Sequence, residues 1–160
     1  MSTADAPLAK APEVPGAPPH LLVVRAPYYR DVVDGMTRGA ERILRDAGAT
    51  FDVLDIAGAF ELPQAIRIAL RGTTRFDGFV ALGCVVKGET DHYDFLCREA
   101  MAGLMNVALQ YGLALGSGLL TVHDKRQAEE RSADDGHNKG AEAAVASLLQ
   151  IVAARRLGAA

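Results

Sequence analysis

The side chains best suited to move protons or hold charge gather in one short stretch of this sequence. Lys87-Gly88-Glu89-Thr90-Asp91-His92 joins an apolar run ending at Val86 to a segment carrying Phe95, Leu96, Met101, Leu104 and Val107. The run, traced back to Phe79, is apolar and β-branched enough for a strand buried on both faces. The segment after it predicts a helix, with Thr90 or Asp91 as its cap and Asp91 with Asp94 as an approximate capping box. A strand that runs straight into a helix leaves free N–H groups and the positive end of the dipole at one point. That point suits an anion, above all a phosphate. His92 on the same turn can move protons at neutral pH. Phosphate beside a proton shuttle is one reading of the stretch. A solvated histidine in a first helical turn is the other.

Further candidates lie elsewhere. Glu61 follows the apolar loop Ala57-Gly58-Ala59-Phe60 and precedes Leu62-Pro63, where a carboxylate either accepts ligand hydroxyls or caps the next helix. Phe60 and Tyr28 could flank a flat ring by stacking, although aromatics near strand ends commonly belong to a core. Arg131 could bind phosphate through its two-pronged guanidinium, or simply be solvated on a short polar helix. Lys139 opens the last helix, where a cation gains nothing from the dipole, and that position suggests a partner. His123, Asp124, Asp134, Asp135 and His137 match no zinc spacing, so no metal is expected. No GxGxxG follows the first apolar run and no Walker loop is present, which counts against dinucleotide and nucleoside triphosphate binding.

The elements that must position these residues alternate. Residues Met1 to Pro19 read as a flexible Pro/Ala-rich tail containing Pro12, Pro15, Pro18 and Pro19, with the folded domain over residues 20–160. Leu21 to Val24 predicts a strand, and Arg25 to Tyr29 turns it into a helix faced by Val32, Val33, Met36, Ala40, Ile43, Leu44 and Ala47, stopped by Gly48. Thr50 to Ile56 predicts a second strand, and Pro63 suits the first turn of a helix over Gln64 to Leu70. The third strand and helix are the stretch described first, ending at Tyr111-Gly112. Leu115 to Val122 predicts a fourth strand, weakened by Gly116 and Gly118. Helices follow over Lys125 to Ala133 and Lys139 to Arg156, the latter with Ala144, Val145, Leu148 and Val152 inward. Alternating strands and helices imply right-handed crossovers: an α/β fold, a three-layer αβα sandwich with a four-stranded parallel sheet, flavodoxin-like. Such sheets bind ligands at the carboxyl ends of their strands. The loops expected there are the Tyr28 turn, Gly58 to Glu61, Val85 to His92, and the segment around Ser117 to His123.

Composition narrows the function classes. A 160-residue chain suits one domain with a sizeable core. The formal charge of −3 and the lack of any basic block argue against nucleic acid, so an anionic ligand needs a local cationic cluster. Cys84 and Cys97 form no CxxC and fall in a predicted strand and helix, which fits reduced thiols in a cytoplasmic protein. No run approaches transmembrane length and no signal peptide is recognisable.

Three motifs together carry a resemblance: Gly58-Ala59-Phe60-Glu61-Leu62-Pro63, then Ala81-Leu82-Gly83 with Lys87-Gly88-Glu89-Thr90-Asp91-His92, then Asn138-Lys139-Gly140. From about His20 onward the chain resembles 6,7-dimethyl-8-ribityllumazine synthases of the alphaproteobacterial type. The resemblance implies a cofactor-free transferase of riboflavin biosynthesis. It condenses 5-amino-6-(D-ribitylamino)uracil with 3,4-dihydroxy-2-butanone 4-phosphate, in a homopentamer or decamer whose sites are shared between adjacent subunits. It also implies roles. Tyr28 stacks on the ring, Ala59, Phe60 and Glu61 hold the ribityl chain, and Cys84, Val85 and Val86 line the pyrimidine by backbone contacts. Glu89, Thr90 and Arg131 bind phosphate, His92 transfers protons, and Lys139 reaches the pyrimidine across a subunit boundary. Ser117 stands where many members carry a phenylalanine over the pyrimidine. Tyr28 stands for a usual phenylalanine, Lys87 for a common arginine and Asp135 for a common lysine. The alternatives are the related archaeal-type riboflavin synthase, which dismutates two lumazines, and a non-catalytic lumazine- or flavin-binding paralogue.

Overall fold

The computed structural model describes residues 8–159. Its strands are β1 (His20–Ala26), β2 (Thr50–Asp55), β3 (Gly78–Val86) and β4 (Leu115–Val122). The helices are α1 (Arg30–Asp46), α2 (Leu62–Ala69), α3 (His92–Tyr111), α4 (Lys125–Ser132) and α5 (Lys139–Arg156), with single 3-10 turns over Pro27–Tyr29 and Ala59–Glu61. All pairings are parallel, in the order β2-β1-β3-β4. This is the expected three-layer α/β sandwich.

Strand periodicity builds two cores from one sheet, because successive side chains point to opposite faces. Leu21, Val23, Val80, Leu82, Cys84, Leu120 and Val122 face α1, α4 and α5. Leu22, Val24, Ala26, Phe79, Ala81, Val85 and Leu119 face α2 and α3. The central strands β1 and β3 are therefore apolar at nearly every position, whereas the edge strand β2 leaves five of its six residues exposed. Gly48 and Gly112, with φ of 71° and 62°, take the left-handed conformation just after α1 and α3, where a side chain would be strained. The helix stops read from those glycines stand. Helices α1 and α5 cross with backbones almost touching: a Cβ on Gly140 would collide with the carbonyl of Met36, and one on Gly39 with the side chain of Asn138.

Two local expectations fail. Asp91 forms no capping box with Asp94, because its backbone is already helical (φ −67°, ψ −5°), and a capping side chain reaches the first amides only from an extended residue. The face read for α3 is only half buried. Leu104 and Val107 pack inward, but Phe95 is 60% and Met101 45% exposed. Together with exposed Met105 and Leu109 they leave an apolar strip on the surface.

Residues 8–19 run along the body of the chain. The Ala9 N–H donates to the Gly136 carbonyl at 3.0 Å, and Arg155 Nη1 donates to the carbonyls of Pro15 and Ala17 at 2.6 and 2.7 Å. Ala9, Ala11 and Val14 pack against the α1–α5 core. The first seven residues of the expected tail lie outside the described residues.

Candidate active site

Three loops meet at the carboxyl edge of the sheet, and their conformations follow from local chemistry. After β1, Pro27 sets the first 3-10 turn, which holds Tyr28 out with 77% of its surface exposed. Its ring meets that of Tyr29 edge-on at 5.1 Å. After β2, Gly58 is extended and the second 3-10 turn closes with the Glu61 N–H donating to the Gly58 carbonyl at 3.1 Å. Ala59 is buried there and Phe60 is half exposed. After β3, the Lys87 N–H donates to the Val122 carbonyl at 2.9 Å, and the chain then leaves the sheet. The amides of Gly88, Glu89 and Thr90 find no acceptor among the described residues, and the helix starts at His92.

Between the second and third of these loops opens a cleft of about 500 Å³, lined by Gly58, Ala59, Phe60, Glu61, His92, Phe95, Leu96 and Glu99. His92, Phe95, Leu96 and Glu99 share one helix face because residues three, four and seven apart stack on the same side. That spacing is a signal the sequence carries, and it places Glu99 on the same face as His92. Glu61 does not act as a helix cap. Its side chain makes no capping hydrogen bond to α2, and its carboxylate lies beside Gly58, where an added Cβ would come within 3.1 Å of it. Without a hydrogen-bond or ion-pair partner among the described residues, the Glu61 carboxylate lines the cleft beside an aromatic ring and a histidine.

The end of β3 is apolar. Cys84 and Val85 are buried and Val86 half-buried at the end of β3. Burial pushes the Cys84 thiol up to about 11, so at neutral pH it is neither a nucleophile nor a base. Burial first, and then neighbouring Cys97, also raise the Tyr93 phenol above its ordinary value. The Lys87 ammonium lies 5.8 Å from the centre of the Tyr93 ring.

Other expected site residues stand apart from this cleft. Ser117 is not at the carboxyl edge. It is the third residue of β4, paired with Ala81, because the edge loop begins only after Val122. Ser117 and Lys139 line a separate recess of about 280 Å³ with Glu142. There Lys139 Nζ donates to both Glu142 carboxylate oxygens at 2.7 Å. Arg131 bends back along α4, where Nη1 donates to the Gln127 carbonyl at 2.9 Å. Two acidic residues have structural work: Asp124 caps α4 by accepting from the Gln127 N–H at 2.9 Å, and Asp135 accepts from the His137 N–H at 2.8 Å.

Asn138 ties this region together. It is 1% exposed, and its amide donates to the carbonyls of Gly35, Ser132 and Ala133 at 3.0, 3.0 and 2.9 Å. Its Oδ1 accepts from the N–H groups of Gly140 and Ala141 at 2.9 and 3.1 Å. The side chain thereby caps α5 and joins it to α1 and to the end of α4. The sequence displayed the cap signal, an Asn just before a helix, but not the carbonyls waiting for its amide.

Comparison with known proteins points the same way as these loops. The family model described as 6,7-dimethyl-8-ribityllumazine synthase matches residues 18–155. A 6,7-dimethyl-8-ribityllumazine synthase of Agrobacterium fabrum is 44% identical over 144 residues, 88% of this chain and 97% of that protein. 6,7-Dimethyl-8-ribityllumazine synthase 1 of Rhizobium meliloti is 44% identical over 146 residues, 89% of this chain and 95% of its own length. A protein of the same name from Paramagnetospirillum magneticum is 40% identical over 144 residues, 86% and 96% of the two chains. With the sheet order, the cleft and matches of this extent in agreement, the chain belongs to the 6,7-dimethyl-8-ribityllumazine synthase family.

Proposed function

We propose that this chain catalyses the condensation of 5-amino-6-(D-ribitylamino)uracil with 3,4-dihydroxy-2-butanone 4-phosphate to 6,7-dimethyl-8-ribityllumazine. The observation that carries the reading is the cleft between Phe60-Glu61 and His92, which adjoins unpartnered amides at a strand–helix junction. The Glu89 and Thr90 amides and Arg131 take the phosphate, since free N–H groups at a helix start and a guanidinium both favour an anion. Phe60 and Tyr28 offer ring faces, and Ala59 and Glu61 meet the ribityl chain, with the carboxylate accepting its hydroxyls. The strand end Cys84-Val85-Val86 lies along the pyrimidine.

In the reaction the 5-amino nitrogen attacks the ketone, and loss of water forms a Schiff base. Phosphate then leaves by elimination, and the ribitylamino nitrogen closes the second ring with loss of another water. Each step moves a proton, and His92 carries it at neutral pH. Both reactants are intrinsically reactive, so holding them in register supplies most of the acceleration.

The assembly belongs to the same proposal. Lys139 and Ser117 line a different recess from His92 within one chain, so a site using all three needs a second subunit. The exposed strip Phe95, Met101, Met105 and Leu109 supplies apolar surface for such a contact. We expect a homopentamer or a pair of pentamers rather than a sixty-subunit shell. Pro12, Pro15, Pro18 and Pro19 lack the N–H groups that strand pairing to a neighbour requires, and Ala9, Pro15 and Ala17 are hydrogen-bonded to their own chain. Analytical ultracentrifugation reads this directly: a particle near sixty chains overturns the assembly, and a monomer removes the shared site.

The activity itself is tested by mixing protein with both substrates and following lumazine absorbance with released phosphate. Lumazine and phosphate appearing in equal amounts supports the proposal. Riboflavin formed from lumazine alone, or tight lumazine binding without turnover, replaces it with one of the two alternatives.

A further inference from the structure

Arg25 has no part in the roles above, yet it stands where two walls of the site diverge. It is the residue of β1 paired with Asp55, the last residue of β2. Three residues beyond Arg25 the chain reaches Tyr28. Three residues beyond Asp55 it reaches Gly58, and then Phe60 and Glu61. The two strands are still joined at this point, by the Ile56 N–H donating to the Arg25 carbonyl at 2.8 Å, and no backbone bond among the described residues joins the loops beyond it.

The guanidinium spans that fork. Its Nε and Nη2 donate to the two Asp55 carboxylate oxygens at 2.6 and 2.8 Å, a two-pronged pair. Its third nitrogen, Nη1, donates to Asp34 of α1 at 3.1 Å and lies 3.4 Å from the Thr37 hydroxyl. Thr37 is itself anchored, donating to the Val33 carbonyl at 2.7 Å. Three elements thus converge on one cation, and two of them, β1 and β2, lead within a few residues to Tyr28 and Phe60. The Arg25 side chain is only 16% exposed, while Asp55 and Asp34 keep about 40% of theirs. Arg25 and Asp55 reinforce each other: the pair raises the guanidinium and lowers the carboxyl relative to their ordinary values, so it stays charged across the neutral range.

The geometry points to Arg25 as a positioning residue for the pyrimidine end of the site: its clamp on Asp55 and Asp34 sets the gap between Tyr28 and Phe60. The β1–β2 ladder alone fixes how the strands pair, not the direction in which each chain departs. A planar guanidinium held at both carboxylate oxygens and at α1 fixes the orientation of the last strand residues, hence the take-off angle of both loops. Tyr28 is largely exposed, apart from its edge contact with Tyr29, and Phe60 is half exposed, so neither ring is locked by a core of its own. This inference rests on the proposed pyrimidine site, so its test includes a variant that reports on the site alone.

The experiment is steady-state kinetics on the full-length protein, each substrate varied in turn, for Arg25→Met, Asp55→Asn, Arg25→Lys and Phe60→Ala. Because Asp55 and Asp34 remain partly solvated, losing the arginine leaves no fully buried charge, and Asp55→Asn still leaves Arg25 paired with Asp34. Arg25→Met and Asp55→Asn should raise KM for the pyrimidine roughly tenfold, with kcat and KM for the butanone phosphate within about twofold of the parent. Arg25→Lys keeps the charge but not the fork and should recover only part of the loss. If Phe60→Ala raises the pyrimidine KM while both clamp variants match the parent, the clamp is overturned and the site stands. Equal losses toward both substrates, in step with a lower urea midpoint, make Arg25 merely structural. If Phe60→Ala is also silent, the site falls and the clamp with it.

Discussion

Replacing Asn138 by alanine should be one of the most destabilising single changes available in this chain. The amide has two hydrogens and faces three carbonyls, so at most two full bonds are made at once and the third carbonyl shares. Alanine removes those bonds and leaves carbonyls at the α1–α4–α5 junction short of a donor, at about 1–3 kcal/mol for each group that stays dry. It also deletes the cap of α5, which contributes about 1 kcal/mol. Partial relaxation and water entry reduce the total, leaving an expected loss of about 3–5 kcal/mol. With a urea m-value of about 2 kcal/mol per molar, the midpoint falls by roughly 2 M. Unfolding is followed by circular dichroism at one fixed protein concentration, because any self-association would otherwise shift the midpoint. Asn138→Asp separates the two contributions. It keeps the capping oxygen but turns an acceptor toward three carbonyls, so it should be no more stable than the alanine variant. Two results refute the reasoning: an alanine variant within about 1 kcal/mol of the parent, or an aspartate variant that recovers most of the loss.

Three further outcomes are expected. His92→Ala should slow lumazine formation by about a hundredfold or more while leaving the binding of a ribityl-pyrimidine analogue nearly intact, since approximation survives loss of the proton carrier; a variant as fast as the parent removes His92 from the mechanism. Arg131→Ala should raise KM for the butanone phosphate far more than for the pyrimidine, and inorganic phosphate should inhibit the parent competitively against the former; equal effects on both substrates make Arg131 structural. With its thiol pushed up to about 11, Cys84 should be alkylated at pH 8 about a hundredfold more slowly than an ordinary thiol, its rate rising with each pH unit up to that value, as mass spectrometry of the labelled peptide can follow; ordinary reactivity in the folded protein would contradict its burial.

Much of the architecture could be read from the chain because it is written locally. The apolar run from Phe79 to Val86 needs only its own composition to become a strand covered on both sides, and period-two alternation then sorts Leu21 and Val23 from Leu22 and Val24. Gly48 and Gly112 end their helices for a reason contained in one residue, the missing Cβ. Strands alternating with helices leave few topologies, and the observed order β2-β1-β3-β4 is one of them. The cleft loops were also visible, since Gly58 to Glu61 and Lys87 to His92 each follow a predicted strand end.

What the tertiary structure decided are the meetings between residues far apart in the chain. Nothing local in the sequence marks Asn138 as the partner of Gly35, 103 positions earlier. It shows Arg25 in a turn but not its two-pronged bond to Asp55, 30 positions on. Glu61 had two local readings, and only the folded structure shows that its side chain makes no capping bond to α2. The α3 strip misled for the same reason. A helical period says which residues share a face, whereas whether that face meets this chain's core or open surface depends on where the sheet ends. Backbone preferences and side-chain periodicity act within a few residues, so they can be read in line. Hydrogen bonds and burial between distant segments exist only once the chain has folded those segments against each other.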